Sequence, residues 1–252
     1  MKLVAHAKII AVLALAPLGI CAQTGPMNPA NGGAAGDGKT AGSGVPMAAA
    51  GLLPKDSPVG AIHAHLCGFH FYDGEPSRQV RAEHYCSHLN ADVWQCAIYD
   101  SDKRDARLIG VEYIISGKLF NGLPPEEKKL WHSHRYEVMS GQLIAPGLSD
   151  AAENQLMRDF VTTYGKAWYL WQVDRGDLLP LGLPKLMMAF TADGQADPKM
   201  VSARDRDLKV DSMQIRAKRA AIPTHEIAPG ADAWQYGQAF QILDSLLSPD
   251  RR

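Results

Sequence analysis

Ala61-Ile62-His63-Ala64-His65-Leu66-Cys67-Gly68-Phe69-His70-Phe71-Tyr72, followed by Asp73-Gly74-Glu75-Pro76-Ser77 and then by Arg78-Gln79-Val80-Arg81-Ala82-Glu83-His84-Tyr85-Cys86-Ser87-His88-Leu89, is the stretch on which the fold turns. Two β-rich runs flank a cluster of turn formers, the signature of a β-hairpin with a longer loop. Outward from it, residues 93–99 and 108–115 carry Val, Ile, Trp and Tyr and read as two further strands. Leu123-Pro124-Pro125-Glu126-Glu127 opens a short helix that ends near Trp131, because Pro suits a first turn and Glu complements the helix dipole there. Residues 136–144 read as a strand. Asp150, with Glu153 three residues on, forms a capping-box arrangement, and Leu156, Phe160 and Tyr164 mark one helical face up to Gly165. Residues 168–173 and 186–191 read as buried strands. Residues 192–232 are polar and irregular, with one helical stretch around Arg216. A last helix is expected over residues 234–247, with Tyr236, Phe240, Leu243 and Leu247 on its apolar face. Strands first and helices later predict an α+β fold: a mainly antiparallel β-sheet with several packed helices.

Further out, the N-terminal residues read as an export signal over residues 1–22. Lys2 and Lys8 precede an apolar run from Ile9 to Ile20, and Cys21-Ala22 supplies small residues at a cleavage point. The run is too short for a transmembrane span. Leu18-Gly19-Ile20-Cys21 is similar to a bacterial lipobox, with bulky Ile20 where that motif wants a small residue; lipidation of Cys21 would turn an exported chain into an anchored one. Residues 23–56 are dominated by Gly, Ala, Pro, Asn and Ser and bury too little to offset ordering entropy, so a flexible tether is expected. One domain then covers residues 57–247. A periplasmic or extracellular location follows from this organisation.

The balance of 26 Lys and Arg against 27 Asp and Glu gives a net charge of −1; removing Lys2 and Lys8 with a leader leaves 24 against 27, or −3. No basic footprint of a nucleic-acid partner is present. Nor is there a Gly-rich phosphate loop or a G-x-S-x-G elbow.

The nine histidines are the chemical signal, since most fall in three clusters: His63, His65 and His70; His84 and His88; and His132 and His134. Residues two apart on a strand share a face, so His63, His65 and Cys67 would point together, as would His84, Cys86 and His88. The register of the hairpin decides which of them meet. If His65 opposes Cys86, the two sets share a face; if His70 opposes His84, His63 and His65 turn to the other side. Imidazole is a neutral donor suited to zinc, copper, iron and nickel. His65, His84, His88, His132 and His134 are the candidate ligands, for a divalent transition metal with zinc as first choice. Glu112 or Glu137 could complete a two-histidine, one-carboxylate set. The alternative is a polar core network of hydrogen-bonded histidines and tyrosines. Cys67, Cys86 and Cys96 allow one disulfide and one odd thiol in an exported protein, or a thiolate ligand, and the spacing does not choose the pair.

Several ordered segments resemble a known family: His84-Tyr85-Cys86-Ser87-His88-Leu89-Asn90; Ala106-Arg107-Leu108-Ile109-Gly110-Val111-Glu112-Tyr113-Ile114-Ile115-Ser116; Leu130-Trp131-His132-Ser133-His134; Thr163-Tyr164-Gly165-Lys166; and Trp171-Gln172-Val173-Asp174-Arg175-Gly176-Asp177. They are similar to the oil-body-associated proteins. The resemblance implies a single domain spanning both halves of the chain. It also implies association with lipid bodies, as in the plant members, and no particular reaction. The leader and tether depart from that pattern and point instead to envelope or lipid association outside the cytosol. His132-Ser133-His134 is also similar to the first metal motif of cupin barrels, but Glu137 follows sooner than that pattern requires. Two functions are therefore expected: a binding or structural protein with a metal-stabilised domain, or a metal-dependent enzyme with an open coordination position.

Overall fold

The computed structural model describes residues 56–243; the expected export segment and all of the expected tether except Asp56 lie outside them. Seven strands form one antiparallel sheet: β1 (Ala64–Tyr72), β2 (Glu75–Asn90), β3 (Val93–Tyr99), β4 (Leu108–Ser116), β5 (His132–Ser133), β6 (Thr163–Tyr169) and β7 (Lys185–Met188). Their order is β4-β3-β2-β1-β7-β6-β5, and β4 also pairs with β6 from Gly110↔Tyr169 to Ser116↔Thr163. That last pairing closes six strands into a barrel, with β5 held on β6 beside it. The expected antiparallel sheet is present, but it is closed rather than open, so β4 has a strand partner on each side instead of a free edge. Among the described residues six α-helices accompany the sheet: α1 (Gly117–Asn121), α2 (Pro125–Lys128), α3 (Arg135–Ser140), α4 (Asp150–Phe160), α5 (Pro198–Leu208) and α6 (Ser212–Arg219). No helix among the described residues is long and apolar enough to cross a membrane.

The hairpin register matches neither pairing considered from sequence. His65 opposes Tyr85 and His70 opposes Val80, with a bulge between Phe71 and Tyr72. The faces nevertheless divide as in the second pairing. Leu66, Gly68, His70 and Tyr72 lie on the same side as Val80, Ala82, His84 and Cys86, and this side lines the barrel. His65 and Cys67 point outward. Cys86 and Cys96 oppose each other across β2 and β3 and form a disulfide, with Cα atoms 4.1 Å apart. Cys67 is a buried free thiol outside the barrel; burial first, then the charge of Glu83, pushes its pKa up to about 12.

Inside, the side chains form layers. Tyr72, Val80, Ala82, Ile98, Ala167, Tyr169 and Met187 fill one end. Leu66, Trp94, Ile114, Val138, Leu143, Met157 and Phe160 fill the other, where α3 and α4 cap the mouth. Each such Leu, Ile or Phe contributes about 1.5–3 kcal/mol by leaving water. The layer between them is polar and is described below. On the outer wall, Phe69, Phe71, Leu186 and Met188 pack under Met200 and Val201 of α5, and Phe120 of α1 stacks on Tyr164 with ring centroids 3.9 Å apart.

Three expectations about the elements are corrected. Residues 135–140 are helix rather than strand. Tyr136 and Val138 mimic a strand's alternation, but the segment turns at His134 (φ −83°, ψ −4°) and stops at left-handed Gly141 (φ 78°). The helix beginning at Asp150 ends at Phe160, so Tyr164 lies on β6, which also begins earlier than expected; its N-cap is Ser149, whose side chain accepts from the Ala152 amide. Of the last expected helix, residues 244–247 lie outside the described residues, and the described part holds a single 3-10 turn, Ala233–Tyr236, ended by left-handed Gly237 (φ 72°). After it the chain runs along the barrel, where the Phe240 amide donates to Asp73 and Gln241 bonds the backbone of Asp73 and Leu186.

A pair of buried arginines holds the loop after α3. Arg204 donates to the carbonyls of Gly141 (3.0 Å) and Gln142 (2.8 Å), and Arg219 donates to those of Val138 and Leu143 (both 2.7 Å). These are carbonyls at a helix end that has no further turn to satisfy them.

Candidate metal centre

The polar layer is built around Glu112 of β4, which is 2% exposed. His84 Nε2 on β2 stands 2.9 Å from its Oε2, and His70 Nε2 on β1 stands 4.0 Å from the same oxygen. His132 Nε2 on β5 and His134 Nε2 at the start of α3 stand 3.1 and 3.4 Å from Oε1. His132 is close enough to be ion-paired but poorly aligned for a hydrogen bond, so both of its ring nitrogens lack a partner. The donor atoms of His70, His84 and Glu112 lie within 4.8 Å of one another, and so do those of Glu112, His132 and His134. These buried groups could hold a metal ion, with Glu112 common to both sets.

Local structure aims each side chain. His70, His84 and Glu112 sit at inward positions of three strands. His132 and His134 converge because Ser133 between them is held on the other side: its amide (2.8 Å) and hydroxyl (2.6 Å) both donate to buried Asp232. Gly165 of β6, the partner of both His132 and Ile114, leaves the space into which the cluster fits. A Cβ there would overlap Glu112 Oε1 and stand 2.6 Å from His132 Nε2 and 2.8 Å from His134 Nε2. Beside the cluster is a cavity of about 10 Å³, bordered by His70, His84, Glu112, His134, Glu137 and Phe160. That volume takes one water-sized occupant. Glu137 reaches it because α3 is a helix, which puts residues three apart, His134 and Glu137, on one side.

The charges are set by surroundings. Burial alone would raise the pKa of Glu112, but contacts from His132, His134 and His84 outweigh it and hold the carboxyl well below the usual range. Burial, reinforced by Glu112 and Asp232, pushes Glu137 well above that range. The two neighbouring carboxyls are thus pushed in opposite directions, Glu112 toward the ionised form and Glu137 toward the neutral one. Burial lowers the pKa of His134 despite Glu112, and lowers that of His70 strongly. Thr163 Oγ1 spends its one proton on the Phe160 carbonyl at 2.7 Å. It must therefore accept from His134 Nδ1, 2.8 Å away. In a neutral imidazole that leaves Nε2 as a lone pair facing an ionised carboxylate. Two acceptors facing each other repel unless a proton or a metal cation lies between them.

Of the five ligand candidates read from sequence, the structure brings His84, His132 and His134 to Glu112. His65 is not among them: it bonds Glu83 at 2.8 Å on the outer wall. His88 is also elsewhere, exposed at the barrel mouth. The reason is register: His65 opposes Tyr85 and so faces away from His84, while His88 lies beyond the mouth-capping layer.

Residues 56–223 match the family model described as a protein of unknown function, DUF1264. The chain is 42% identical over 216 residues to oil body-associated protein 1B of Arabidopsis thaliana, covering 85% of this chain and 90% of that one. It is 44% identical to oil body-associated protein 1A of Zea mays (78% and 83% covered) and 47% identical to 2A of the same plant (70% and 72%). The chain belongs to the oil body-associated protein family. No solved structure matches it.

In this oil body-associated family member, sequence reading left out of the ligand set three residues that the fold places at the centre. Glu112 and Glu137 were named only as options, and His70 was counted in its cluster without a role. Thr163 and Gly165 carried no signal of their own beyond adjacency in the Thr163-Tyr164-Gly165-Lys166 motif. The role of Thr163 is testable. Thr163→Val removes the hydroxyl that fixes the His134 tautomer while keeping the shape. Metal affinity, measured by competition with a chelating dye, should fall about 10–100-fold, the usual cost of losing a partner that orients a ligand. Unchanged affinity would show that His134 does not bind through Nε2.

Proposed function

We propose that this is an exported metal-binding protein, holding a divalent transition-metal ion, zinc first, through Glu112, His132 and His134, with His70 and His84 forming a second donor set on the same Glu112. The observation that carries the reading is the convergence of buried imidazole donors on buried Glu112, with His134 Nδ1 held by Thr163 so that the neutral ring turns its Nε2 lone pair to the cluster. Zinc with nitrogen ligands at about 2.0–2.1 Å would draw the donors of the Glu112, His132 and His134 set, which lie within 4.8 Å of one another, closer together. Export is supported by the N-terminal pattern of residues 1–22 and by the Cys86–Cys96 disulfide, a bond suited to oxidising compartments. Envelope or lipid association draws on the relatives' names and on the exposed Val111 and Tyr113 of the outer barrel wall.

A structural ion would have a full protein shell. The water-sized cavity next to Glu137, whose carboxyl burial pushes toward the neutral form, favours a second reading, an open position and a metal-dependent enzyme acting on a very small ligand. Elemental analysis of the purified full chain should find one tightly held metal. The variant with His132→Ala and His134→Ala should have lost it, and cobalt substitution should give a tetrahedral spectrum for a closed shell or a higher-coordinate, water-exchanging one for an open site. Wild-type protein free of metal after growth with zinc would sink both readings. Recovery from the cytosolic fraction would sink export.

A further inference from the structure

A second pair of imidazoles stands at the mouth of the barrel, apart from the buried cluster. His63 lies just before β1 and His88 near the end of β2, and both are exposed. His63 Nδ1 is 2.9 Å from the Ala61 carbonyl, an atom that can only accept, so Nδ1 carries the proton. His63 Nε2 is left as a lone pair, and it faces His88 Nδ1 at 3.2 Å. Two nitrogens bound to one ion at about 2.0–2.1 Å stand about 2.9–3.4 Å apart at neighbouring positions. A ring whose far N–H is fixed by a carbonyl is also the usual support for a metal-bound histidine. The carboxylate of Asp159 is close enough to act electrostatically on His88, which gives the mouth a negative group.

We infer that His63 and His88 form a second, solvent-facing metal site, for a borderline divalent cation such as Cu2+, Ni2+ or Zn2+, its remaining positions filled by water or small anions. Without an ion, His88 Nδ1–H donates to His63 Nε2. Binding requires only that His88 carry its proton on Nε2 instead, so no proton need be released. Imidazole suits these cations better than Mg2+ or Ca2+. This site is separate from the buried centre: Trp94 and Phe160 stand between them, with ring centroids 5.1 Å apart, and Phe160 is 5.9 Å from His134. It does not depend on the buried centre binding anything.

Trp94 supplies the readout, because it packs against both histidines, its ring centroid 5.7 Å from that of His63. The full chain, stripped with EDTA, is titrated with Cu2+ while tryptophan fluorescence and bound copper are followed. One equivalent should quench fluorescence. His63→Ala and His88→Ala, both surface changes, should each remove that equivalent and leave any buried one in place. Trp94→Phe should lose most of the quench yet still bind the copper. A variant carrying both His63→Ala and His88→Ala that binds as much copper as wild type, with the same quench, would overturn the site. Conversely, copper lost in that variant but kept in His134→Ala would support this site while the buried centre failed.

Discussion

Gly165→Ala is expected to abolish metal uptake and to destabilise the barrel by about 1–3 kcal/mol or more, the usual range for adding a methyl where no space exists. The added carbon would lie in the middle of the donor set, in overlap with Glu112 and against the Nε2 atoms of His132 and His134. Relief by backbone movement is blocked on both sides, since Gly165 is laddered to Ile114 of β4 and His132 of β5. Relief by side-chain movement would turn Glu112 or the imidazoles away from one another. Either adjustment spoils the geometry, so metal loss should be complete even where the protein still folds. Elemental analysis with thermal melting checks both parts. Gly176→Ala is a useful control: it too is a glycine-to-alanine change, at a left-handed surface turn (φ 76°) with no atom near the added carbon. It should cost some stability through strain and nothing in metal content. A Gly165→Ala protein that keeps its metal would place the ion elsewhere.

Arg204→Ala should lower stability by about 3–5 kcal/mol, the cost of breaking a buried, hydrogen-bonded charge. Arg204 is fully buried and binds two carbonyls, the Ser212 hydroxyl at 2.9 Å and Asp205 at 2.7 Å. Its loss strands those carbonyls at the end of α3 and frees the loop whose Leu143 seals the polar layer. A fall in Tm of roughly 10 °C is expected for a domain of this size. Arg206→Ala, two residues on and exposed, should change stability by less than about 0.5 kcal/mol. Equal effects from the two would mean that the buried carbonyls find other partners.

How much of this was readable in the sequence depended on the range of the interaction. Strand content came through because β3 and β4 carry β-branched and aromatic residues in runs of ordinary length. The helix at Asp150 came through because its start is written in local capping residues. That His84, His132 and His134 belong among the candidate ligands came through because the histidines fall in clusters at strand spacing, a local signal. Register did not come through. The turn, expected as a longer loop over residues 73–77, is only Asp73 and Gly74 between β1 and β2, and the bulge between Phe71 and Tyr72 resets the pairing of every residue before it. That reset sends His65 outward and His70 inward. Residues 136–144 failed for another reason: alternating Tyr136 and Val138 fit a strand locally, whereas the helix is fixed by distant groups, the carbonyl-binding Arg204 and Arg219. Barrel closure was equally non-local, since it depends on β4 and β6 meeting across about fifty residues of sequence.

The polar layer lies between two apolar ones, which bears on time as well as affinity. A solute at Glu112 can reach bulk water only when the wall opens, by unseating Leu143 and Phe160 or by parting strands, and such openings draw on the more stable end of a protein's local unfolding. Exchange would therefore be set by the rate of opening and not by the strength of any bond at the site. An ion enclosed as the strands close would remain for much of the lifetime of the folded chain. Its identity would then record the ion supply where folding took place, whatever the composition of the medium met afterwards.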